Sequence, residues 1–207
     1  MKKILRLVLS YIFLLLFWPF FLYKKYGNTD YKLTKRTIII SNHYSNFDAF
    51  FVYLMYGRNK KINFVTIAET RKKLWSRFIT WLFDCLYIDS TTANINFFKK
   101  CIQVLSNDGI ICIFPEGYVN HRKYGFLDFK ASFIFLARKT QAVILPLYIY
   151  PQLSFFKKTR IYIGLPVETQ EYSHFADRDV ASMHIQSRVM DYAVIIDQIL
   201  EDERKSH

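Results

Sequence analysis

Thr37-Ile38-Ile39-Ile40 is followed, after a single serine, by Asn42-His43-Tyr44-Ser45-Asn46-Phe47-Asp48. The apolar run is typical of a buried strand, and the polar segment predicts a strand end that turns into a helix. This segment places an imidazole and a carboxylate five positions apart, at His43 and Asp48. A histidine that acts as a general base needs a partner that fixes its tautomer and stabilises the imidazolium. If the two side chains meet, His43 is a base and Asp48 its orienting partner.

Short apolar runs alternate with longer amphipathic stretches beyond Gly27. The predicted strands are 37–40, 63–68, 86–89, 110–114, 143–150 and 160–165, and the predicted helices are 46–56, 71–83, a segment that ends near 105, 129–139 and 179–201. This alternation predicts an α/β fold with a largely parallel central sheet flanked by helices. Pro146 lies inside a predicted strand, and because proline cannot donate to a ladder we expect it at an edge or a bulge.

The first residues form a second strong signal, because the stretch from Ile4 to Tyr23 is nearly all apolar and Lys24-Lys25 closes it. A cleaved signal peptide is the weakest interpretation, since no small-x-small cleavage site follows the apolar stretch. A transmembrane anchor and a helix that lies in the interface both remain open. We therefore expect an N-terminal apolar membrane helix over residues 1–25 and a single α/β domain over residues 26–207.

The composition favours a membrane surface as partner. The chain of 207 residues has 29 Lys and Arg against 17 Asp and Glu, a net charge of +12, and 52% of its residues are hydrophobic. Such a surface attracts anionic headgroups or a polyanionic substrate carrier. Nucleic acid is not an expected partner, since the sequence has neither a basic helix nor an aromatic-rich sheet motif. We expect the protein at a membrane, with its active site facing the cytoplasm.

The three cysteines match no zinc pattern, and an odd number does not make a disulfide framework. The simplest interpretation is that Cys85, Cys101 and Cys112 are buried thiols in a reducing compartment. We therefore expect no metal site.

A further motif, Pro115-Glu116-Gly117, follows the apolar run Ile110–Phe114. In open α/β sheets, sites form outside the carboxyl ends of the strands, so His43 and Glu116 are expected to converge on one crevice. Taken singly, each element has a plainer interpretation: a loop histidine, an acid at a helix N-terminus, a simple turn. The combination makes a functional site the better hypothesis.

Together, Asn42-His43-x4-Asp48 and Phe114-Pro115-Glu116-Gly117 resemble the paired motifs of the glycerolipid acyltransferases, of the lysophosphatidic acid (1-acylglycerol-3-phosphate) acyltransferase type. Two weaker blocks are also similar to that family: Leu86-Tyr87-Ile88-Asp89 and Val143-Ile144-Leu145-Pro146-Leu147. The resemblance covers about residues 35–150.

The resemblance implies transfer of a fatty acyl group from a thioester, on coenzyme A or acyl carrier protein as co-substrate, to a hydroxyl group of a lysophospholipid in phospholipid biosynthesis or remodelling. No separate cofactor is implied. His43 would be the general base, Asp48 would orient it, and Asn42, Glu116 and Gly117 would contact substrate. No nucleophile motif accompanies the pair, which fits direct attack by the substrate hydroxyl. The alternatives are a lipid-binding relative without turnover and a hydrolase that passes the acyl group to water.

The chain departs from the family at two arginines that are thought to hold the acceptor's phosphate: it has Ser90 and Val119 there. An arginine fork binds phosphate in a way that serine cannot replace. Arg122 is the candidate substitute, with His121, Lys123 and Lys130 nearby, although solvated loop charges are the simpler interpretation. The acceptor headgroup, the acyl chain, the donor carrier and the oligomeric state are left open.

Overall fold

Seven strands and six helices lie within the described part of the chain. The computed structural model describes residues 8, 9, 12, 15, 22–33, 36–57, 60–68, 74–83, 85–88, 95–120, 125–152 and 156–206. The strands are β1 (Tyr23–Gly27), β2 (Thr37–Ser41), β3 (Ile62–Ile67), β4 (Leu86–Ile88), β5 (Ile110–Ile113), β6 (Val143–Ile149) and β7 (Thr159–Ile163). The helices are α1 (Asp48–Val52), which a π-helical turn (Tyr53–Gly57) continues, α2 (Leu74–Leu82), α3 (Ile95–Ser106), α4 (Ser132–Thr140), α5 (Thr169–Ser173) and α6 (Arg178–Lys205).

The strands form one sheet in the order β1-β7-β6-β2-β5-β3-β4. All neighbours are parallel except β6 and β7. The prediction of an α/β fold with a largely parallel sheet is therefore confirmed. Every residue of β2 and β5 is buried, as expected for central strands that are covered on both faces. The carboxyl ends of β2, β3, β5 and β6 share one edge, which we call the catalytic edge.

Alternate residues of the central strands enter two separate hydrophobic cores. Ile38 and Ile111 pack with residues of α3, α4 and α6, whereas Ile39 and Cys112 pack with residues of α1. This follows from the pleat, since successive side chains of a strand point to opposite faces of the sheet. The two helical layers hold the sheet rigid beneath the loops of the catalytic edge.

The predicted fold class included an N-terminal apolar membrane helix over residues 1–25, and this part of the prediction is wrong. Within the described ranges, no helix has the length and apolar character needed to cross a membrane. The end of the expected helix is instead β1, whose Tyr23 is in register with Thr159 of β7. Exposed lysines are a common feature of edge strands, and here Lys24 and Lys25 were taken for the flank of a membrane segment. Most of the remaining residues of that segment lie outside the described ones.

Pro146 lies in β6, an interior strand, beside an irregularity in the pairing with the β7 side. Leu147 is in register with Ile163, and Ile144 bridges to Val167. The stretch that follows β7 therefore has one residue more than the part of β6 that faces it, which is a bulge. Of the two places expected for this proline, the structure has the bulge and not the sheet edge.

Candidate functional site

His43 and Asp48 are brought together by the turn between β2 and α1. The backbone N–H of Ser45 donates to Asp48 Oδ2 at 2.8 Å, and the backbone N–H of Asp48 donates to the carbonyl of Ser45 at 3.0 Å. This turn places His43 Nδ1 at 3.0 Å from Asp48 Oδ2. The residue Asp48 is only 1% exposed. The local sequence thus positions the carboxylate at the Nδ1 edge of the imidazole ring.

The contact with Asp48 fixes which nitrogen of the neutral His43 ring carries the proton. Burial raises the pKa of the Asp48 carboxyl, although the hydrogen bonds from His43 and from backbone N–H groups oppose the shift. When ionised, this carboxylate only accepts hydrogen bonds, so Nδ1 of His43 carries a proton and donates it. The lone pair of the neutral ring is then on Nε2, where a substrate proton can be taken up.

The second motif holds His43 from the side of β5. The ring of Phe114 stacks on the imidazole, with centroids 4.2 Å apart and planes 17° apart. The backbone N–H of His43 donates to Glu116 Oε1 at 2.8 Å, and its carbonyl accepts from the backbone N–H of Asn120 at 2.6 Å. His43 and Glu116 therefore do converge at the catalytic edge, through the backbone of the histidine.

The side chain of Glu116 is fully engaged within the protein. Besides the bond to His43, its Oε2 accepts from the backbone N–H of Leu127 at 3.0 Å and from the amide of Asn120 at 3.2 Å. The residue is 3% exposed, and burial raises the pKa of its carboxyl against the effect of these bonds. Glu116 thus braces the loop after β5, and it lies in the wall of a small cavity beside His43.

Asn42 is engaged in the same way. Its amide nitrogen donates to the carbonyl of Ile149 at 2.9 Å, and its amide oxygen accepts from the N–H of Ile149 at 2.8 Å. The side chain acts as one more rung between β2 and β6, at the point where β2 ends. This pair of hydrogen bonds fixes the residue before His43, and Asn42 also lies in the wall of the smallest cavity beside His43, so its expected substrate contact stays a prediction.

Gly117 and Lys130 lie against each other at the wall of a cavity. Gly117 has φ +79°, a conformation that disfavours a side chain, and a Cβ atom built on it would meet the mobile end of Lys130, Nζ, at 2.7 Å. Lys130 Nζ lies 5.1 Å from the ring centroid of Tyr118. The other candidate cations, His121, Arg122 and Lys123, lie outside the described residues, as does Ser90.

Three cavities border His43. The smallest, of about 60 Å³, also has Asn42 and Glu116 in its wall, and the other two are larger. The larger of these two, of about 380 Å³, is lined by polar and apolar groups that include Thr66, Val119 and Lys130. The smaller of the two, of about 210 Å³, is the apolar cavity, and Phe64 of β3 and Phe83 after α2 are in its wall. The walls of these two share the residues His43, Asn46, Val65, Thr66 and Phe114. One base therefore borders two larger cavities, of which the smaller has more aromatic side chains in its wall.

The apolar cavity is the part of the site that the motifs did not indicate. Phe47 and Phe114 of its wall lie in the motifs, but Phe64 and Phe83 come from segments with no motif, and the signal of α2 in the sequence is only its amphipathic pattern. As for metals, the described residues contain no group of three or more His, Cys, Asp or Glu side chains that could hold an ion.

Comparison with known proteins identifies a family. The family model described as Acyltransferase matches residues 23–150. A 1-acyl-sn-glycerol-3-phosphate acyltransferase from Limnanthes douglasii is 31% identical over 121 residues, which are 56% of this chain and 41% of that protein. The chain thus spans less than half the length of that relative.

A solved structure has a similar fold. The crystal structure of the 1-acyl-sn-glycerophosphate (LPA) acyltransferase from Thermotoga maritima matches with a TM-score of 0.68 at 19% sequence identity, and the match covers 87% of this chain and 74% of that one. At this identity the likeness bears on the fold.

Proposed function

The chain belongs to the acyltransferase family, and on that premise we propose that it transfers a fatty acyl group from an acyl thioester to the hydroxyl group of a lysophospholipid. The acceptor we propose is 1-acylglycerol-3-phosphate or a close analogue, because the two relatives are named for that activity. One observation carries the proposal: the 3.0 Å contact between His43 Nδ1 and Asp48 Oδ2, at the junction of two cavities.

The chemistry needs only one base. Nε2 of His43 takes the proton of the acceptor hydroxyl while the oxygen forms a bond to the thioester carbonyl carbon. Asp48 stabilises the imidazolium that results. Its carboxylate accepts a hydrogen bond from Nδ1–H, and the proton stays on the ring. When the tetrahedral intermediate collapses, the carbon–sulfur bond breaks and the thiolate receives the proton from Nε2. The products are an ester and a free thiol, and the enzyme returns to its starting state.

The two larger cavities suit the two substrates. The apolar cavity would hold the acyl chain, because its aromatic walls replace water around the hydrocarbon. The larger cavity would hold the acceptor, whose phosphate would face Lys130. A lysine binds phosphate as a point charge, without the bidentate geometry of the arginine that Val119 replaces.

The donor would be acyl-CoA or an acylated carrier protein, used as co-substrate without a further cofactor. The reaction would take place at a membrane surface, where the acceptor resides, with the site on the cytoplasmic side. The three cysteines support this side, because Cys85, Cys101 and Cys112 are all free of disulfides, as in a reducing compartment.

The test is acyl transfer from a radiolabelled thioester to 1-acylglycerol-3-phosphate by the purified full chain, with products identified by mass spectrometry. His43→Ala should lower the rate by roughly 10³-fold or more, because the base is lost. His174→Ala is the matched control, since His174 is exposed and outside the cavities, and its rate should stay near that of the parent. Transfer by His43→Ala at the parent rate would show that His43 is not the general base.

Two other outcomes would replace the proposal. Release of free fatty acid without dependence on added acceptor would identify a hydrolase. Lipid binding without any transfer, across a panel of acceptors, would identify a binding protein.

The role of Lys130 has its own test. Lys130→Met keeps most of the side-chain volume and removes the charge, so the KM for the phosphate-bearing acceptor should rise roughly tenfold, as for one charged hydrogen bond lost. The KM for a monoacylglycerol, which has no phosphate, should change little. Equal changes for both acceptors would show that the charge of Lys130 does not face the phosphate.

A further inference from the structure

A separate cavity of about 800 Å³ lies at the junction of β1, β6, β7 and α6, and we call it the basic cavity. Its walls are Lys24, Tyr150, Gln152, Lys158, Arg160, Leu200, Glu203 and Arg204. Four cationic side chains thus surround one carboxylate in these walls. The catalytic proposal makes no use of this cavity.

The basic cavity opens at the catalytic edge. Because β7 is antiparallel to β6, its first residues lie beside the carboxyl end of β6, and the N–H of Tyr150 donates to the carbonyl of Arg160 at 2.9 Å. The preceding residue, Ile149, is the one that the side chain of Asn42 holds. Two strand spacings separate β2 from β7, roughly 10 Å in all. A ligand in the basic cavity therefore lies along the same edge as His43.

Two of the four cations are committed to the carboxylate. Arg160 Nη2 donates to Glu203 Oε2 at 2.7 Å, and Lys24 Nζ donates to Glu203 Oε1 at 2.9 Å. These two contacts lower the pKa of the Glu203 carboxyl to about 2. Lys158 and Arg204 are exposed and, within the described part of the chain, neither is in an ion pair. Their charges remain available to an anion.

Apolar residues lie close in the sequence to two of the cationic residues of the basic cavity. Phe156 is 61% exposed and directly precedes Lys157 and Lys158. In the sequence, Lys24 directly follows the apolar stretch that ends at Tyr23. Basic side chains next to exposed aromatic ones are the combination that suits a bilayer surface with anionic headgroups, because the charges meet phosphates and the rings enter the interface.

We propose that the basic cavity binds the phosphate-bearing headgroup of an anionic membrane lipid and so holds the catalytic edge against the bilayer. The inference deepens the proposed function, because it rests on an acceptor that resides in a membrane. The phosphate group of a soluble compound has the same chemistry, so the test separates the two sources.

The experiment compares two double variants of the full chain in sedimentation with vesicles, at fixed ionic strength. Lys158→Gln with Arg204→Gln removes the two uncommitted charges of the basic cavity. Lys60→Gln with Lys100→Gln removes two exposed charges elsewhere, and Lys60 lies before β3, at the opposite edge of the sheet. The vesicles are phosphatidylcholine with and without phosphatidylglycerol.

We expect the parent protein to bind the anionic vesicles more tightly than the neutral ones. The cavity variant should lose roughly 30-fold of this preference, about fivefold for each charge removed near a membrane surface, and the control should keep most of it. Both variants should keep the parent melting temperature, since the four side chains are exposed. His43→Ala should bind vesicles like the parent, so failure of the catalytic assignment remains distinct from failure of this one.

Equal losses in the two double variants would overturn the proposal, because net charge alone would then explain the preference. The soluble source is tested with sn-glycerol 3-phosphate at matched ionic strength. If this compound releases the parent from anionic vesicles and raises the melting temperature of the parent but not of the cavity variant, the cavity binds soluble phosphates and the lipid assignment is wrong. If the compound has neither of these effects, the result supports binding of a lipid headgroup.

Discussion

Asp48 and Glu116 are both buried acids that bond to His43, but they hold different parts of it. Asp48 accepts from the ring, at Nδ1, and Glu116 accepts from the backbone N–H. Burial raises the pKa of both carboxyl groups, so the direction of the shift does not separate them. What separates them is the contact: a carboxylate on the ring acts on the proton that the histidine moves, and one on the backbone acts on the position of the residue.

Asp48→Asn should give the largest effect on activity and the smallest cost in stability. The amide no longer stabilises the imidazolium, and it can favour the wrong tautomer, so we expect the transfer rate to fall roughly 10³- to 10⁴-fold. The melting temperature should be unchanged or higher, because burial disfavours the charged carboxylate. Steady-state kinetics and thermal melts of the same preparation measure both. A rate within tenfold of the parent would contradict the role given to Asp48.

Glu116→Ala should do the reverse and act mainly on stability. It leaves buried donors of His43, Asn120 and Leu127 without their acceptor, at about 1–3 kcal/mol for each unsatisfied group. We expect urea denaturation to show a loss of about 3 kcal/mol or more, with a smaller loss of rate than in Asp48→Asn. Glu116→Gln, which keeps one acceptor oxygen, is the matched control and should lose less. If Glu116→Ala remained as stable as the parent but lost transfer as completely as Asp48→Asn, the comparison would be reversed.

The pH dependence of stability should distinguish the parent from Asp48→Asn. For an acid with a raised pKa, the unfolded chain releases its proton first as the pH rises, so the group favours folding less and less above about pH 4. The free energy of unfolding of the parent, relative to that of Asp48→Asn, should therefore fall as the pH rises through this region. Urea midpoints at a series of pH values measure it. A difference that grows with pH would mean that the pKa of Asp48 is lowered in the folded protein.

Ser45→Ala should have the smallest effect, because Asp48 is held by the backbone N–H of Ser45 and not by its hydroxyl. Among the residues that the structure describes, the hydroxyl accepts only the N–H of Phe47, at 3.2 Å, so its loss should cost about 0.5–1.5 kcal/mol. The transfer rate should stay within about threefold of the parent, since the contact to His43 is kept. A large loss of rate would show that the hydroxyl takes part in the site.

The sequence predicted the parts of the molecule that local patterns determine. The strand before Asn42 and the turn after it place His43 and Asp48 together within five residues, and a short-range pattern of this kind is visible in the sequence. The parallel sheet followed from the alternation of apolar runs with amphipathic stretches. The convergence of His43 and Glu116 followed from the general position of sites in such sheets.

The parts that were missed depend on distant partners. The edge strand β1 is stabilised by pairing with β7, which comes over a hundred residues later, so Tyr23–Gly27 had no local signal of a strand. The hydrogen bonds of Asn42 to Ile149 and of Glu116 to Leu127 were not predicted, because the motifs do not contain these partners, and the expected substrate contacts of both residues stay predictions. The apolar cavity likewise combines β3 with the end of α2.

The rung between Asn42 and Ile149 also has a consequence for the time at which the site is completed. The turn that joins His43 to Asp48 is local and can form as soon as it leaves the ribosome. Ile149, to which Asn42 at the start of this turn is hydrogen-bonded, comes 107 residues after Asn42. At a synthesis rate of about 5–20 residues per second, this separation corresponds to roughly 5–20 s. For that interval the nascent chain has its base and its orienting acid but lacks the strand that fixes them to the sheet.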